Sequence, residues 1–373
     1  MRFRAMTHAG HPIGLGILPQ KRDLRMKKIA VALSGGVDSS LTVLLLRDAG
    51  LDVVGITLRV QRNADGASVC AGDDAVDKAR AVANYLGVDH FVCDVCDDFK
   101  DIILSYAWHT YANGQTPSPC VRCNERIKFG KLFDYAMSLG CEAMATGHYA
   151  QIVDYRDVKR IARGADANKD QSYFLSGLPN ATVERILFPL GGYTKPQVRA
   201  LADQYGLPSA HTPDSQNVCI TKPRQTFAET LCDLFGEKAK IGNFIYDGKT
   251  IAKHAGIHHY TVGQRHGLGN LVPTQKAYVK AISGNDVQIT TDPNDLLATQ
   301  FSATQAIWHA DPANAESLRA QIRYRSPAVP CSLSQNGDTL SIQCHTPVNA
   351  VTPGQIVAFY DGDVVIGRAI IKN

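Results

Sequence analysis

The stretch Ser34-Gly35-Gly36-Val37-Asp38-Ser39-Ser40 lies between an apolar run, Lys28-Ile29-Ala30-Val31-Ala32-Leu33, and a segment from Val37 to Asp48 with helical apolar spacing, closed by Gly50. A strand that enters a glycine turn and leaves as a helix is the opening unit of a parallel sheet covered by helices. It also gathers unpaired backbone N–H groups and the positive end of a helix dipole at one spot. Adjacent glycines let the backbone approach an anion closely, and the serine hydroxyls add donors, so the turn reads as a phosphate cradle. It lacks the Lys-Ser/Thr pair of a Walker A loop and the third glycine of a dinucleotide fingerprint. Asp38, a carboxylate among phosphate donors, implies a bridging divalent cation, here Mg2+.

The alternation continues down the chain. Val53 to Leu58 reads as a strand, Asp73 to Leu86 as a helix, Asp89 to Cys93 as a strand, Phe99 to Tyr111 and Glu125 to Leu139 as helices, and Ala143 to Thr146 as a strand entering Gly147-His148-Tyr149. That pattern predicts a Rossmann-like α/β parallel sheet with its ligand at the carboxyl ends of the strands. Lys195 to Tyr205 is one more helix. After about residue 221 the pattern changes: Phe227 to Phe235 is a short helix, Asp247-Gly248 turns a hairpin, and Tyr260 to Gly269 is glycine-rich and basic. Beyond 275, Gly284-Asn285, Asn336-Gly337 and Asp361-Gly362 each separate β-rich runs, which predicts an antiparallel barrel. The expected division is an extension over 1–26, a nucleotide domain over 27–221, a small central domain over 222–275 and a C-terminal β-barrel over 276–373.

At 373 residues and 45% hydrophobic, the chain can fill more than one core. A net charge of +4 neither demands nor excludes a nucleic-acid partner. No apolar run approaches the roughly 20 residues of a membrane span, and residues 1–25 lack the apolar core of a signal peptide, so the expected compartment is cytoplasmic. Residues 1–26 fit a presequence or a start misassigned upstream of Met26.

Most of the ten cysteines, in a chain without secretory features, should be reduced, and seven of them read as small core residues. Cys120, Cys123 and Cys219 differ. In Gln115-Thr116-Pro117-Ser118-Pro119-Cys120-Val121-Arg122-Cys123-Asn124 two prolines hold the chain extended before a helix expected near Asn124, so Cys123 should gain thiolate character from the helix dipole, with Arg122 adding positive charge. Cys219 lies in a polar loop without periodicity. One Cys-x-x-Cys without a second pair falls short of a closed zinc site, and no resident metal site is assigned.

The cradle resembles the pyrophosphate loop of ATP pyrophosphatases, and cradle and cysteines together resemble the tRNA-specific 2-thiouridylase family from about Lys27 to the C-terminus. The matching motifs are Ser34 to Ser40, Thr116 to Asn124, Ala145 to Tyr149, Lys169-Asp170-Gln171-Ser172-Tyr173-Phe174-Leu175, Asp214 to Cys219, Gly263-Gln264-Arg265 and Arg323-Tyr324-Arg325. The resemblance implies that Ala32, Leu33, Ser34, Gly35, Gly36, Val37, Asp38, Ser39, Leu58 and Gly147 bind ATP. It implies that Cys123 is the nucleophile and Cys219 the persulfide carrier, with a Cys123–Cys219 disulfide formed in turnover. Ser118, Pro119 and Cys120 would lie near the target base, with Lys169, Asp170, Gln171, Arg323 and Tyr324 on the tRNA. The implied reaction adenylates C2–O of the wobble uridine and replaces that oxygen with sulfur from a persulfide donor protein. Cys120 stands where the family pattern carries Asp. It completes a trio that could alternatively ligate an open-sited [4Fe-4S] cluster.

Two other functions compete. An AMP-forming synthetase of the same fold acting on a small molecule explains the cradle but not the cysteine loops. An RNA-binding protein with a vestigial nucleotide domain is opposed by the intact Ser-Gly-Gly-x-Asp-Ser.

Overall fold

The structure is a computed structural model that describes residues 28–61, 72–213, 219–221, 225–236, 240–273 and 275–372. The expected extension over 1–26, the start of the Asp214 to Cys219 motif and the expected boundary at 222 lie outside them. Five parallel strands form the first sheet: β1 (Lys28–Ala32), β2 (Asp52–Arg59), β3 (Asp89–Asp94), β4 (Ala143–Ala145) and, after a hairpin of β5 (Ala150–Tyr155) and β6 (Val158–Arg163), β7 (Ile186–Leu187). Their order is β3-β2-β1-β4-β7. Alternate residues of β1 serve opposite faces, which is why the run is apolar throughout. Ile29 and Val31 pack with Leu41 and Val43 of α1 (Val37–Asp48), Ala79 and Val82 of α2 (Gly72–Leu86), and Val198. Ala30 packs with Phe99, Ile103, Ile127 and Met144 on the other face. Strand order reverses between β1 and β4, so the crevice for a ligand opens at their carboxyl ends.

Two helical runs cover that second face, over 96–112 and 119–138, and each contains π-turns, Lys100–Leu104 and Asn124–Leu132. Interruptions of this kind recur near functional sites because they re-aim one face of a helix.

A second sheet is formed by β8 (Gly242–Tyr246), β9 (Lys249–His254), β10 (Tyr278–Ser283) and β11 (Asp286–Thr290), in the order β10-β11-β8-β9. The hairpin over 278–290 joins it through a parallel β11–β8 pairing, Val287↔Phe244. That corrects the expected boundary at 275, since the hairpin belongs with the middle sheet and not the barrel. The barrel is β12 (Leu297–Trp308), β13 (Leu318–Gln321), β14 (Val329–Asn336), β15 (Thr339–Asn349), β16 (Ile356–Asp361) and β17 (Val364–Ile371), closed by the β12–β17 pairing. The β5–β6 hairpin extends its sheet through Val364↔Ala162. A strand pair from the nucleotide-domain segment is thus hydrogen-bonded to the barrel.

Candidate active site

The cradle has the expected strand–turn–helix form. Leu33 N–H donates to Ile56 O at 2.9 Å, tying the end of β1 to β2, and Gly35 turns the chain at φ +77. A Cβ on Gly35 would lie 2.7 Å from Lys78 Cβ and 2.9 Å from the Ala79 nitrogen. A Cβ on Gly36 would meet nothing closer than Ser34 Oγ at 3.6 Å, so that glycine borders open space. Helix α1 starts at Gly36 without a side-chain cap. Its first-turn amides therefore remain available to an anion.

Ser39 and Ser40 are buried and shape the loop, while Ser34 is exposed. Ser39 Oγ accepts from Ser34 N–H at 3.2 Å and donates to Gly36 O at 3.1 Å, and Ser40 Oγ donates to the same carbonyl at 2.9 Å. Gly147, just past β4, lies so close to α1 that a Cβ would stand 3.0 Å from Asp38 Cβ. Ala32 and Leu58 are half-buried at the carboxyl ends of β1 and β2, while Val37 is buried under the turn. Nearby His148 is a core residue: burial pushes its imidazole well below the usual range, and its Nδ1 lies 2.6 Å from Thr146 Oγ1.

Asp38 is paired within the fold. Lys195 Nζ lies 2.7 and 2.8 Å from its two oxygens, and Tyr149 Oη donates to Oδ1 at 2.7 Å. Sequence gives neither partner a role, although Tyr149 ends the Ala145 to Tyr149 motif. Lys195 is the first residue of the helix Lys195–Gln204, where Thr194, Pro196 and Gln197 read only as a helix start. The residues suit a magnesium nucleotide: uncapped amides, an open face at Gly36, a carboxylate, and a lysine able to turn from carboxylate to phosphate.

The helix carrying Cys123 begins at Pro119, with Asn124 already inside the run, so the expected dipole-lowered thiolate is absent. Burial instead pushes the Cys123 thiol up to about 12, Lys128 opposes that rise, and the Cys219 and Cys120 thiols add to it. Cys120, exposed, is also pushed up, first by desolvation and then by Cys219. Cys219 is thus near enough to both thiols of the Cys-x-x-Cys pair to act on them electrostatically. Among the described residues no group of three or more His, Cys, Asp or Glu side chains is arranged to hold a metal ion. Of the seven cysteines expected in cores, Cys93, Cys141, Cys331 and Cys344 are buried, Cys96 and Cys232 are half-buried, and Cys70 lies outside the described residues.

The expected tRNA-contact residues divide into braces and surface. Ser118 Oγ accepts from Ile356 N–H at 3.2 Å, joining the cysteine segment to the barrel. Asp170 is buried, and its carboxylate accepts from Arg163 Nη1 (2.8 Å), Gly164 N–H (3.0 Å), Ser172 N–H (3.1 Å) and Ser172 Oγ (2.9 Å). It braces the loop and does not present a contact, contrary to expectation. Gln171 Oε1 accepts from Tyr149 N–H at 3.0 Å, holding that loop against the cradle side. Arg323 is likewise a latch: its guanidinium donates to Val262 O (2.7 Å), Ala350 O (2.8 Å) and Thr352 Oγ1. The exposed cation of that motif is Arg325. Tyr324 lies against Phe174 with ring centroids 4.3 Å apart and planes tilted by 36°; burial pushes its hydroxyl up, Asp170 and Asp166 add to that rise, and Arg325 and Lys169 oppose it. An aromatic pair flanked by two cations is a surface that suits an unstacked base and a phosphate backbone.

Three family models match in succession, described as a tRNA methyl transferase HUP domain over 27–223, a tRNA methyl transferase PRC-barrel domain over 229–290 and an aminomethyltransferase beta-barrel domain over 298–371. The tRNA-specific 2-thiouridylase of Lachnoclostridium phytofermentans is 37% identical over 360 residues, covering 93% of this chain and 99% of its own length. The chain belongs to the tRNA-specific 2-thiouridylase family. The family's member from Geobacter metallireducens is 38% identical over 91% of this chain and 95% of its own, and that from Maricaulis maris 37% identical over 98% and 91%. No helix among the described residues of this family member is long and apolar enough to cross a membrane.

Proposed function

We propose that the protein is an ATP-dependent tRNA uridine 2-sulfurtransferase that converts the wobble uridine to 2-thiouridine, releasing AMP and pyrophosphate. The observation that carries the reading is that Cys219 and Cys123, two thiols far apart in sequence, lie within electrostatic reach of one another in a fold that opens on a phosphate cradle. A small-molecule synthetase needs no such pair, and neither does the methyl transfer that the family descriptions mention.

The uracil C2 carbonyl has no adequate leaving group, so its oxygen attacks the α-phosphorus of ATP and pyrophosphate departs. The first-turn amides of α1 and the Lys195 ammonium take up the charge that develops there. Magnesium, held by Asp38, would add charge neutralisation at the departing phosphates. The terminal sulfur of a Cys219 persulfide then bonds to C2, and AMP leaves with the former C2 oxygen. Cys123 attacks Cys219 Sγ in that adduct, releasing thiouridine and leaving a Cys123–Cys219 disulfide. The persulfide sulfur is reduced by two electrons, which the two cysteines supply. Because Cys123 is held protonated, it must lose its proton during this step, with Lys128 as the nearby charge that favours the thiolate.

The flipped base is held at Ser118, Pro119 and Cys120, and, with Asp170 and Arg323 spent on internal bonds, the RNA lies over Tyr324 and Phe174 beside Lys169 and exposed Arg325. A persulfide-carrying donor protein loads Cys219, which is exposed, and the reaction belongs in the cytoplasm. In domain terms the nucleotide unit ends near 221, and the middle unit runs to 290 before the barrel. Incubating tRNA with protein, ATP, magnesium and a persulfide donor, then analysing nucleosides by mass spectrometry, tests the reading. We expect 2-thiouridine with the native chain and none with Cys219→Ser, ATP binding being retained; normal thiolation by Cys219→Ser overturns it.

A further inference from the structure

Tyr149 is buried in the core beside the cradle, where packing alone asks only for a ring, yet its hydroxyl donates to Asp38 Oδ1 at 2.7 Å. The same carboxylate takes the Lys195 ammonium at 2.7 and 2.8 Å, and that ammonium stands over the Tyr149 ring, 5.7 Å from its centroid. The two donors differ in what they can do next. Lysine is a point charge on a flexible stem, able to swing from carboxylate to phosphate. The phenol cannot follow, because the backbone that carries it is clamped: Gln171 Oε1 accepts from Tyr149 N–H at 3.0 Å, and Gln171 N–H donates to Tyr149 O at 2.8 Å. Gln171 belongs to the segment that the preceding reading sets against RNA. Its carbonyl accepts from Phe174 N–H at 3.0 Å, and the Phe174 carbonyl accepts from Asn124 Nδ2 at 3.2 Å, next to Cys123. One run of bonded groups therefore leads from the cradle carboxylate to the cysteine helix.

We propose that Tyr149 is a positioning residue that keeps Asp38 aimed for magnesium while Lys195 turns to the phosphates, and that Gln171 sets Tyr149 from the RNA side. The proposal rests on the nucleotide step of the preceding reading. When the ammonium leaves, the carboxylate keeps the phenol bond and does not rotate away, and the oxygen lone pairs that Lys195 gave up face a divalent cation. Gln171 spends its side-chain oxygen on the clamp, a duty separate from the RNA contact that the family resemblance implies for it.

The test is calorimetric titration of a non-hydrolysable ATP analogue into the full chain, in EDTA and at graded magnesium concentrations, with the native chain, Tyr149→Phe and Gln171→Met, each first checked by its melting curve. Tyr149→Phe keeps the ring and removes only the bond to Asp38; Gln171→Met keeps the length of the side chain and removes the clamp, so loss of folding in one variant leaves the other to decide. Both should need about tenfold more magnesium to reach half of the affinity that magnesium adds, the scale of one hydrogen bond to a charged group, while affinity in EDTA stays within about twofold of native. A native magnesium midpoint in either variant overturns the proposal. So does an equal loss of affinity with and without magnesium, which marks damage to the whole cradle. A native chain that makes 2-thiouridine, with variants that keep its magnesium midpoint, overturns the positioning role alone. A native chain that binds no analogue under any condition overturns the ATP-dependent reading, and the positioning role with it.

Discussion

Lys195 Nζ lies 2.7 and 2.8 Å from the two carboxylate oxygens of Asp38, although 157 residues separate them. The pair puts the positive charge of a helix start beside the phosphate cradle and holds the carboxylate that would meet magnesium. Replacing the ammonium by a neutral chain of similar length, Lys195→Met, removes a charged donor worth about 1.5–3 kcal/mol. Affinity for a non-hydrolysable ATP analogue, measured by calorimetry, should fall about 10- to 100-fold; unchanged affinity would separate Lys195 from the nucleotide.

The two glycines of the cradle should fail differently. Gly36 has φ −81 and open space before it, so Gly36→Ala should leave the melting temperature nearly unchanged while its methyl blocks the phosphates. Gly35 has φ +77 and backbone of α2 against it, so Gly35→Ala should cost about 1–2 kcal/mol from the left-handed conformation alone. Melting curves and nucleotide titrations on both variants check the contrast. Equal melting temperatures in the two variants would contradict it.

Arg368 of β17 holds Glu125 of the cysteine helix by a buried pair, Nε to Oε1 at 2.8 Å and Nη2 to Oε2 at 2.9 Å. Gly177 leaves room for this pair, since a Cβ there would overlap Glu125 Oε1 and crowd Arg368 Nε. Burial raises the Glu125 carboxyl above its usual value and Arg368 pulls it back. Arg368→Met strands that carboxylate at a cost of about 3–5 kcal/mol near neutral pH. A carboxyl whose folded pKa is raised binds protons more tightly when folded, so stability lost above that pKa returns as pH falls through it. The deficit of Arg368→Met against the native chain should therefore shrink from pH 8 to pH 5. Melts across that range that show a constant deficit would contradict the assignment.

Cys123, with its thiol pushed up to about 12, should alkylate more slowly than exposed Cys219 in the free protein. Its rate with iodoacetamide should climb with pH without a plateau below about 11, because only the thiolate reacts. Lys128→Gln should slow it further. Peptide mapping after timed alkylation reads both, and a plateau near neutral pH would show an activated thiolate.

Much of this was legible from residues alone. The apolar run before Ser34 and the spacing to Gly50 specify β1 and α1 because both faces of that strand are buried, and the tight-turn pairs locate the later hairpins whichever sheet they join. That indifference is why Gly284-Asn285 could not assign its hairpin to the middle sheet. The β5–β6 hairpin escaped because its turn is Arg156-Asp157, both at positive φ (51 and 64), where glycine or asparagine normally marks such a turn. Pro119 read as part of an extended segment, yet it opens the helix, where its fixed φ and missing N–H cost nothing. The cradle and the three cysteines were visible as motifs. The roles of Lys195 and Tyr149 and the internal duties of Asp170 and Arg323 were not, because each depends on a partner that only the folded chain brings near.

The central claim is that ATP activates the C2 oxygen of the wobble uridine. A tRNA carrying oxygen-18 at that atom, incubated with the protein, ATP, magnesium and a persulfide donor, follows the oxygen directly by mass spectrometry. One labelled AMP should appear for every 2-thiouridine formed, with the label absent from pyrophosphate and water. Thiolated tRNA accompanied by unlabelled AMP would contradict activation at that oxygen.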